Sequence, residues 1–209
     1  MISWREQLRE AILDYRYLLD RGYGSKASLD LVTGRYGLTR EERLLLFRCI
    51  HPWSRAEEIR NKMGIKEPII LDGFNIGITL INAWDGEQLF LCDDGFVRDL
   101  SVGRKKGDSR LVSALLVAGE LLISLGLDFS IILDSQISRS GEVAKGLREA
   151  GLSADVVGRA DKEVIVRGGT SVTSDFVILL KSENVFNIIS FLIDRSQIIR
   201  INEFANLDP

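Results

Sequence analysis

The chain has 209 residues, of which 45% are hydrophobic and 27% are charged, values typical of a globular protein with a packed core. Three prolines and the lack of any low-complexity tract exclude long disordered segments. The net charge of −3 conceals an asymmetry, because residues 1–66 carry 13 basic and 9 acidic side chains, whereas the remainder carries 14 and 21. The surplus of carboxylates in the second part is either solvated surface or a site that uses acids.

The first 66 residues predict a small all-helical module. Its apolar residues recur at the spacing of one helical face, and Gly22 and Gly37 are typical helix stops. Four helices are predicted, over Trp4–Leu19, over Ser25–Tyr36, and after the capping boxes Thr39/Glu42 and Ser54/Glu57. The second and third helices are compatible with a helix-turn-helix in which Arg35, Arg40 and Arg43 face phosphates. Simple helix packing with an RNA-positioning or dimerising role is equally compatible.

From residue 67 the pattern changes to short apolar runs that alternate with amphipathic segments, as in a mainly parallel sheet covered by helices. The predicted strands are Ile69–Leu71, Leu89–Cys92 in a hairpin with Val97–Leu100, Phe129–Leu133, Val164–Val166 and Val177–Leu180. The predicted helices are Leu111–Leu125, Gly141–Ala150 and Val185–Ile193. The fold class is therefore α/β, with a helical module at 1–66 and a sheet domain at 67–209.

Carboxylates follow several of these runs. Asp72 closes the first run and Asp134 closes a later one, while Asp161 begins a short helix or turn and Asp175 directly precedes a predicted strand. Ligands of open parallel sheets bind beyond the carboxyl ends of the strands. Acids gathered there repel one another unless a divalent cation neutralises them, and oxygen ligands favour Mg²⁺ or Mn²⁺.

The run Ile69–Leu71 followed by Asp72-Gly73-Phe74-Asn75 resembles the opening strand and D-G-x-N motif of NYN nucleases, which are relatives of the PIN domain. The later segments around Asp161 and Thr173-Ser174-Asp175 are similar to the closing pair of acids in that family. The resemblance covers roughly residues 67–195. It implies that Asp72, Asp161 and Asp175 bind metal and that Asn75 orients the site.

The whole chain also resembles a mainly archaeal two-part family that joins a helical domain of unknown function to a PIN-like domain. The resemblance is carried by Arg21-Gly22-Tyr23, Leu31-Val32 with Arg35-Tyr36, Asp93-Asp94-Gly95 with Arg98-Asp99, and Asp134-Ser135 with Ser138 and Ser140-Gly141. A PIN domain places a further acid in the helix after its first strand region. Asp94, Asp99 and Glu120 compete for that role, so the second metal ligand is left open.

Each candidate has a structural alternative. Asp72, Asp134 and Asp94 suit turns, while Asn75 and Asp161 suit helix capping. Ser138 and Ser140 either cap the next helix or, with Arg139, bind a substrate phosphate at its N-terminus. Arg104 and Lys105 lie in a basic loop that is either solvated or in contact with a nucleic-acid backbone.

The cysteines and the single histidine exclude other kinds of site. Cys49 and Cys92 lie in different segments, so we expect no disulfide framework and a reducing, cytoplasmic location. His51, expected at the surface or at a helix end, leaves a zinc site almost without ligands. The apolar stretch Leu111–Leu127 is too short and too polar to span a membrane, and the N-terminus lacks the pattern of a signal peptide.

These observations predict a Mg²⁺- or Mn²⁺-dependent ribonuclease with RNA as its partner, no membrane partner, and self-association into a homodimer as a second expectation. The rival is a non-catalytic nucleic-acid-binding or scaffolding protein with the same fold. A haloacid-dehalogenase phosphatase is disfavoured because Phe74 stands where that family needs a second aspartate. A dinucleotide-binding enzyme is disfavoured because Gly73–Gly77 does not supply G-x-G-x-x-G.

Overall fold

The computed structural model describes residues 2, 4–101 and 108–207. The chain divides into two compact units. The first, called here the helical unit, comprises Met1–Asn61, Gln88–Leu100 and Arg195–Pro209; the second, the sheet unit, comprises Lys62–Glu87 and Ser101–Asp194. The domain boundary between residues 66 and 67 stays a prediction. After leaving the helical unit, the chain returns to it twice, at Gln88–Leu100 and at Arg195–Pro209.

The helices and strands follow in chain order. The helices are α1 Glu6–Asp20, α2 Ser25–Tyr36, α3 Arg40–Cys49, α4 Trp53–Asn61, α5 Gly73–Trp84, α6 Leu111–Ser124, α7 Ser140–Glu149, α8 Ala160–Val166, α9 Phe176–Lys181, α10 Ile189–Leu192 and α11 Ile201–Ala205. The strands are β1 Ile69–Asp72, β2 Leu89–Leu91, β3 Val97–Asp99, β4 Phe129–Asp134, β5 Ala154–Val157, β6 Thr170–Val172, β7 Asn184–Val185 and β8 Ile198–Arg200. No helix in the described part of the chain is both long enough and apolar enough to cross a membrane.

The helical unit begins with four helices where the sequence predicts them, but Ser54 does not cap the fourth, because α4 already begins at Trp53. Gly37 ends α2 at a φ of 57°, and the predicted capping box of Thr39 and Glu42 opens α3. One apolar core joins α1–α3 to β2 and α11, through buried residues such as Leu8, Phe90 and Ile201. The unit also holds a three-stranded sheet of order β3-β2-β8, in which the predicted β2–β3 hairpin is confirmed.

The sheet unit is built on five parallel strands in the order β5-β4-β1-β6-β7. Its middle strand β1 begins with a continuous apolar run because both faces of the sheet are covered, and residues such as Leu71 and, on β4, Ile132 are fully buried. Helix α6 contacts both α5 and α7, while α8 and α9 form a second contacting pair. The predicted α/β class, with a parallel sheet flanked by helices and preceded by a helical module, is confirmed.

Two predicted strands and one predicted helix are wrong. The runs Val164–Val166 and Val177–Leu180 belong to helices α8 and α9, because a short apolar run carries no period that separates a strand from a buried helical turn. The carboxylate of Asp175 caps α9 by accepting bonds from two backbone N–H groups. The run Val185–Ile193, predicted as one helix, holds the end of β7 and then α10.

The sequence pattern did not predict strands β5 and β6, and β6 was missed because it is polar. Thr170 and Ser171 are buried, and hydrogen bonds satisfy their hydroxyls. Thr170 Oγ1 accepts from Lys66 N at 2.7 Å, and Ser182 Oγ donates to Ser171 Oγ at 2.7 Å. Buried hydroxyls with such partners are tolerated inside a sheet.

The two cysteines correct the expectation of unpaired thiols. Cys49, the last residue of α3, and Cys92, which follows β2, form a disulfide with their Cα atoms 4.4 Å apart. Both side chains are buried in the helical unit. Their positions along the chain gave no sign of the pairing, because the packing of β2 against the helices brings them together.

Candidate functional site

Polar side chains at the carboxyl ends of β1 and β6, together with Asp161 in the first turn of α8, are called here the acidic rim. It comprises Asp72, Asn75, Asp161, Thr173, Ser174 and Asp175. Asp72 ends β1 and caps α5, while Thr173 to Asp175 follow β6 and lead into α9. Because β1 and β6 are parallel neighbours, with Leu71 paired to Val172, these two segments leave the sheet at the same edge. The acids predicted at 72 and 175 therefore do lie at adjoining strand ends.

Four hydrogen bonds connect the two segments or brace one of them. Thr173 Oγ1 donates to Asp72 Oδ2 at 3.0 Å and accepts from Asp175 N at 3.2 Å. Ser174 donates to Asn75 Oδ1 through both its backbone N–H, at 2.7 Å, and its hydroxyl, at 2.9 Å. Motifs about 100 residues apart in the chain are thus held in one fixed arrangement.

The pKa of Asp72 is set by its burial and by its neighbours in the rim. Burial raises the pKa of Asp72 to about 6, although the hydroxyl of Thr173 and the N–H of Asn75 act in the opposite direction. The negative charges of Asp175 and Asp161 raise this pKa further. Asp161, in the first turn of α8 as predicted, is therefore near enough to Asp72 to repel it.

Asp72 and Asp175 have polar partners, and none of the three rim acids forms an ion pair with a cation in residues 2, 4–101 and 108–207. Asp175 Oδ1 accepts from Val177 N at 2.8 Å and from Ile178 N at 3.1 Å. Asp161 and Asp175 are exposed, whereas Asp72 and Asn75 are half-buried. The carboxylates of Asp72, Asp161 and Asp175 do not all approach within 4.8 Å of one another. Among the described residues, a single group of His, Cys, Asp or Glu side chains has its ligand atoms that close together, and it lies in the helical unit.

Asp134 lies at the same edge but further out. Asp72 pairs with Ile132, so Asp134 extends two residues beyond the level of Asp72 on the neighbouring strand β4. Its Oδ1 accepts from Gln136 N at 2.8 Å, which is the turn geometry that the sequence left open as an alternative. Its role in the chemistry stays a prediction.

The predicted phosphate-binding segment lies at the start of α7. Arg139 occupies the N-cap position at a φ of 67°, and it pairs with Glu142 at 2.8 Å. Ser138 is exposed and Ser140 is buried. Arg104 and Lys105 lie outside the described residues.

The three residues that competed as the further acid lie on other segments of the chain than the rim residues. Asp94 and Asp99 are buried in the helical unit, where Arg48 approaches Asp99 at 3.7 Å. Glu120 is exposed on α6. Asp94, proposed from the sequence as a ligand together with Asp72, therefore belongs to a different unit.

A second polar cluster, called here the buried His/Asp group, consists of His51, Asp93 and Asp94 in the helical unit. Their ligand atoms lie within 4.8 Å of one another, and all three residues are buried, so the group could hold a metal ion. Of the two positions expected for His51, the surface is wrong because the residue is buried, whereas the helix end is confirmed because His51 directly follows Ile50, the C-cap of α3. Its backbone N–H and its Nδ1 both bind Asp93, each at 2.7 Å, and this satisfies the imidazole inside the unit.

Both carboxylates of this group are already paired with arginine. Arg98 contacts Asp94 in a bidentate arrangement at 2.9 and 2.5 Å, and Arg16 contacts Asp93. Burial acts to raise the pKa of Asp94, but the charge and hydrogen bonds of Arg98 outweigh it and hold the pKa below its ordinary value. A cation in this group would have to compete with two buried guanidinium groups. The sequence singled out Asp93-Asp94 but not His51 as their partner, because His51 lies 42 residues before Asp93 in the chain.

Comparisons with known proteins divide the chain at residue 62, five residues before the change of pattern at residue 67. The family described as "Protein of unknown function (DUF434)" matches residues 7–62, and the family described as "Domain of unknown function (DUF5616)" matches residues 62–191. The uncharacterized protein MJ0935 of Methanocaldococcus jannaschii is 30% identical over 203 residues, which cover 88% of this chain and 94% of that protein. No solved structure matches the chain.

Proposed function

Because the chain belongs to the DUF5616 family, as a two-part protein with a DUF434 region in front, and the family description assigns no activity, we infer its function from the geometry. We propose that it is a metal-dependent ribonuclease of the PIN/NYN-like kind that hydrolyses phosphodiesters at the acidic rim. The supporting observation is the hydrogen-bonded junction of Asp72 and Asn75 with Thr173, Ser174 and Asp175.

The donor set fits Mg²⁺ or Mn²⁺. Every rim side chain offers oxygen, as hard divalent cations require. Mg²⁺ keeps several of its waters and is commonly bound by one or two carboxylates, so it does not need the three acids of the rim in one tight shell. Asp72, Asp161 and Asp175 are the proposed ligands. Such an ion polarises a phosphoryl oxygen and lowers the pKa of water near the scissile bond.

The side chains of the rim divide the remaining tasks. Thr173 fixes one oxygen of Asp72, and Ser174 fixes the amide of Asn75, so neither side chain has to be ordered when a ligand arrives. The two N–H groups at the start of α9 hold Oδ1 of Asp175. The other oxygen, Oδ2, takes no part in those bonds and is directed to the ligand in this proposal.

RNA is the proposed substrate. Exposed cations follow β4 and β5, the two strands on one side of β1, namely Arg139 after β4 and Arg159 after β5. The loops that carry them are joined, since Gln136 Nε2 donates to Gly158 O at 3.3 Å. Arg139, together with Ser138 and Ser140, and the basic residues Arg104 and Lys105 are proposed to contact phosphates. A cytoplasmic location and a homodimer remain parts of the same proposal.

The test is a cleavage assay on single-stranded and structured RNA with Mn²⁺. We expect cleavage by the wild type and a loss of roughly a hundredfold or more in Asp72→Asn, because a metal site contributes several kcal/mol to the transition state. The matched control is Asp128→Asn, an exposed acid immediately before β4 at the opposite edge of the sheet, which should cleave as the wild type does. Equal rates in Asp72→Asn and the wild type would remove the rim from the mechanism.

A non-catalytic nucleic-acid-binding protein with the same fold is the second candidate. The spacing of the three carboxylates favours it, because in this geometry they do not all lie within 4.8 Å of one another. It predicts RNA binding that needs no divalent ion and no cleavage by any variant. Cleavage by the wild type that stops in EDTA and is restored by Mn²⁺ would exclude this candidate.

A further inference from the structure

An aromatic pair, Phe186 and Phe191, lies at the β7 end of the sheet unit. Their ring centroids are 5.2 Å apart with an interplanar angle of 36°. Phe191 is 67% exposed, more than any other described aromatic side chain, and Phe186 is half-buried. Burial of an aromatic ring is favourable, so a ring left in water beside another ring is available to a flat ligand.

The pair lies at the same edge of the sheet as the acidic rim. Phe186 directly follows β7, and its N–H donates to Ser171 O of β6 at 3.1 Å. Val185 pairs with Ser171, so the chain after β7 leaves the sheet beside the chain that leads from β6 to Asp175. Strand β7 is next to β6 and two strands from β1, which corresponds to about 5 and 10 Å.

The turn between the two rings is anchored. Asn187 Nδ2 donates to Ser190 Oγ at 2.6 Å, and the buried Ile188 and Ile189 fix the start of α10. Helix α10 contacts α5, the helix that begins at Asp72. The backbone that carries the exposed ring therefore packs against α5, the helix that Asp72 caps.

We propose that Phe186 and Phe191 form a stacking platform for an unpaired base of the substrate, and this rests on the proposed nuclease function. Aromatic side chains bind single-stranded nucleic acid through the π-face of a base, which a duplex keeps inside its stack. A base next to the cleaved phosphate lies within reach of the platform. The inferred substrate is thus single-stranded RNA with one base bound beyond β7.

Equilibrium binding by the full chain tests the platform without cleavage. The probes are a fluorescein-labelled oligouridine of about twelve nucleotides and an RNA duplex of the same length, both in EDTA. We expect Phe191→Ala to weaken oligouridine binding roughly tenfold, the loss of one stacked base. Phe191→Trp should bind at least as tightly as the wild type. Binding of the duplex should stay unchanged in both variants.

Two further variants decide what the ring does. Phe191→Leu keeps an apolar side chain without a π-face and should weaken binding as alanine does. Phe47→Ala is the matched control, a 55% exposed phenylalanine on α3, and should bind as the wild type does. Wild-type affinity in Phe191→Leu, as for a protein-docking patch, or equal losses in Phe47→Ala, would overturn the platform.

The results of these experiments distinguish a failure of the platform from a failure of the nuclease proposal. A ring-dependent oligouridine affinity with no Mn²⁺-dependent cleavage in the wild type would refute the nuclease and support a single-strand-binding platform. Cleavage abolished by Asp72→Asn together with unchanged oligouridine affinity in Phe191→Ala would refute the platform alone. Thermal unfolding of each variant shows whether the exposed positions leave the fold intact.

Discussion

The helical unit and the sheet unit hold their acids in different ways. In the helical unit Asp94 lies fully buried against the guanidinium of Arg98. In the sheet unit the partners of Asp72 are a hydroxyl and a backbone N–H, and its nearest charged influences in the described residues are two further acids. The charge of a buried acid such as Asp94 is neutralised by a cation of the protein itself. An acid that lies among other acids has no such partner, so a bound cation would have to neutralise it.

The same substitution should therefore have opposite effects on the stability of the two units. The largest effect is expected for Asp94→Asn, which leaves the guanidinium of Arg98 buried without its partner charge. We expect a loss of about 3–5 kcal/mol in the free energy of unfolding at pH 7, measured in urea. Because the folded pKa of Asp94 is lowered, this contribution of the wild type should disappear as the pH falls below the ordinary range of an aspartate.

The matched control for this prediction is the double variant Asp94→Leu with Arg98→Met. It removes both charges at once, so it should recover most of the stability lost in Asp94→Asn. A double variant as unstable as the single one would mean that the shape of the pair, rather than its charge balance, supports the helical unit.

Asp72→Asn is expected to act in the opposite direction. The folded pKa of Asp72, about 6, lies above its ordinary value of 3.8, so the folded state holds the proton more tightly and stability falls as the pH rises from 4 to 6. Without divalent ions, the neutral amide should raise the free energy of unfolding by about 1–3 kcal/mol at pH 7 and have little effect at pH 4. Destabilisation at pH 7 would show that the ionised carboxylate is needed for the fold.

Divalent ions should distinguish the acidic rim from the buried His/Asp group. At a tenfold excess of Mn²⁺ over its dissociation constant, the wild type should gain about 1.4 kcal/mol of stability. The gain should vanish in Asp72→Asn and persist in His51→Gln. The reverse result would place the ion in the helical unit, where the three ligand atoms already lie within 4.8 Å.

Much of the fold follows from local patterns. Strands β1 and β4 were predicted because continuous apolar runs are typical of buried parallel strands, and the capping box of Thr39 and Glu42 predicted the start of α3. Strand β6 was missed because hydrogen bonds from distant residues, such as Lys66 and Ser182, compensate its hydroxyls. Such compensation has no signature within β6 itself.

The residues of the candidate site likewise fall into those that a local pattern predicted and those that it did not. The position of an acid at the end of an apolar run predicted where Asp72 lies, and the structure brings Asp175 to the neighbouring strand end. The sequence did not predict that Asp94 lies in the helical unit. The segment Gln88–Leu100 returns to the helical unit because β2 pairs with β8, and a partner about 110 residues further along the chain leaves no local pattern.

The smallest expected effect tests the hydrogen bond that joins the two rim segments. Thr173→Val keeps the shape of the side chain but removes the hydroxyl that donates to Asp72 Oδ2 at 3.0 Å. That bond lowers the pKa of Asp72, so its loss should raise the pKa by roughly half a unit to one unit above about 6. Carboxyl-carbon NMR titration of the metal-free protein measures this change. An unchanged pKa would mean that Thr173 serves Asp175, whose N–H it accepts at 3.2 Å, rather than Asp72.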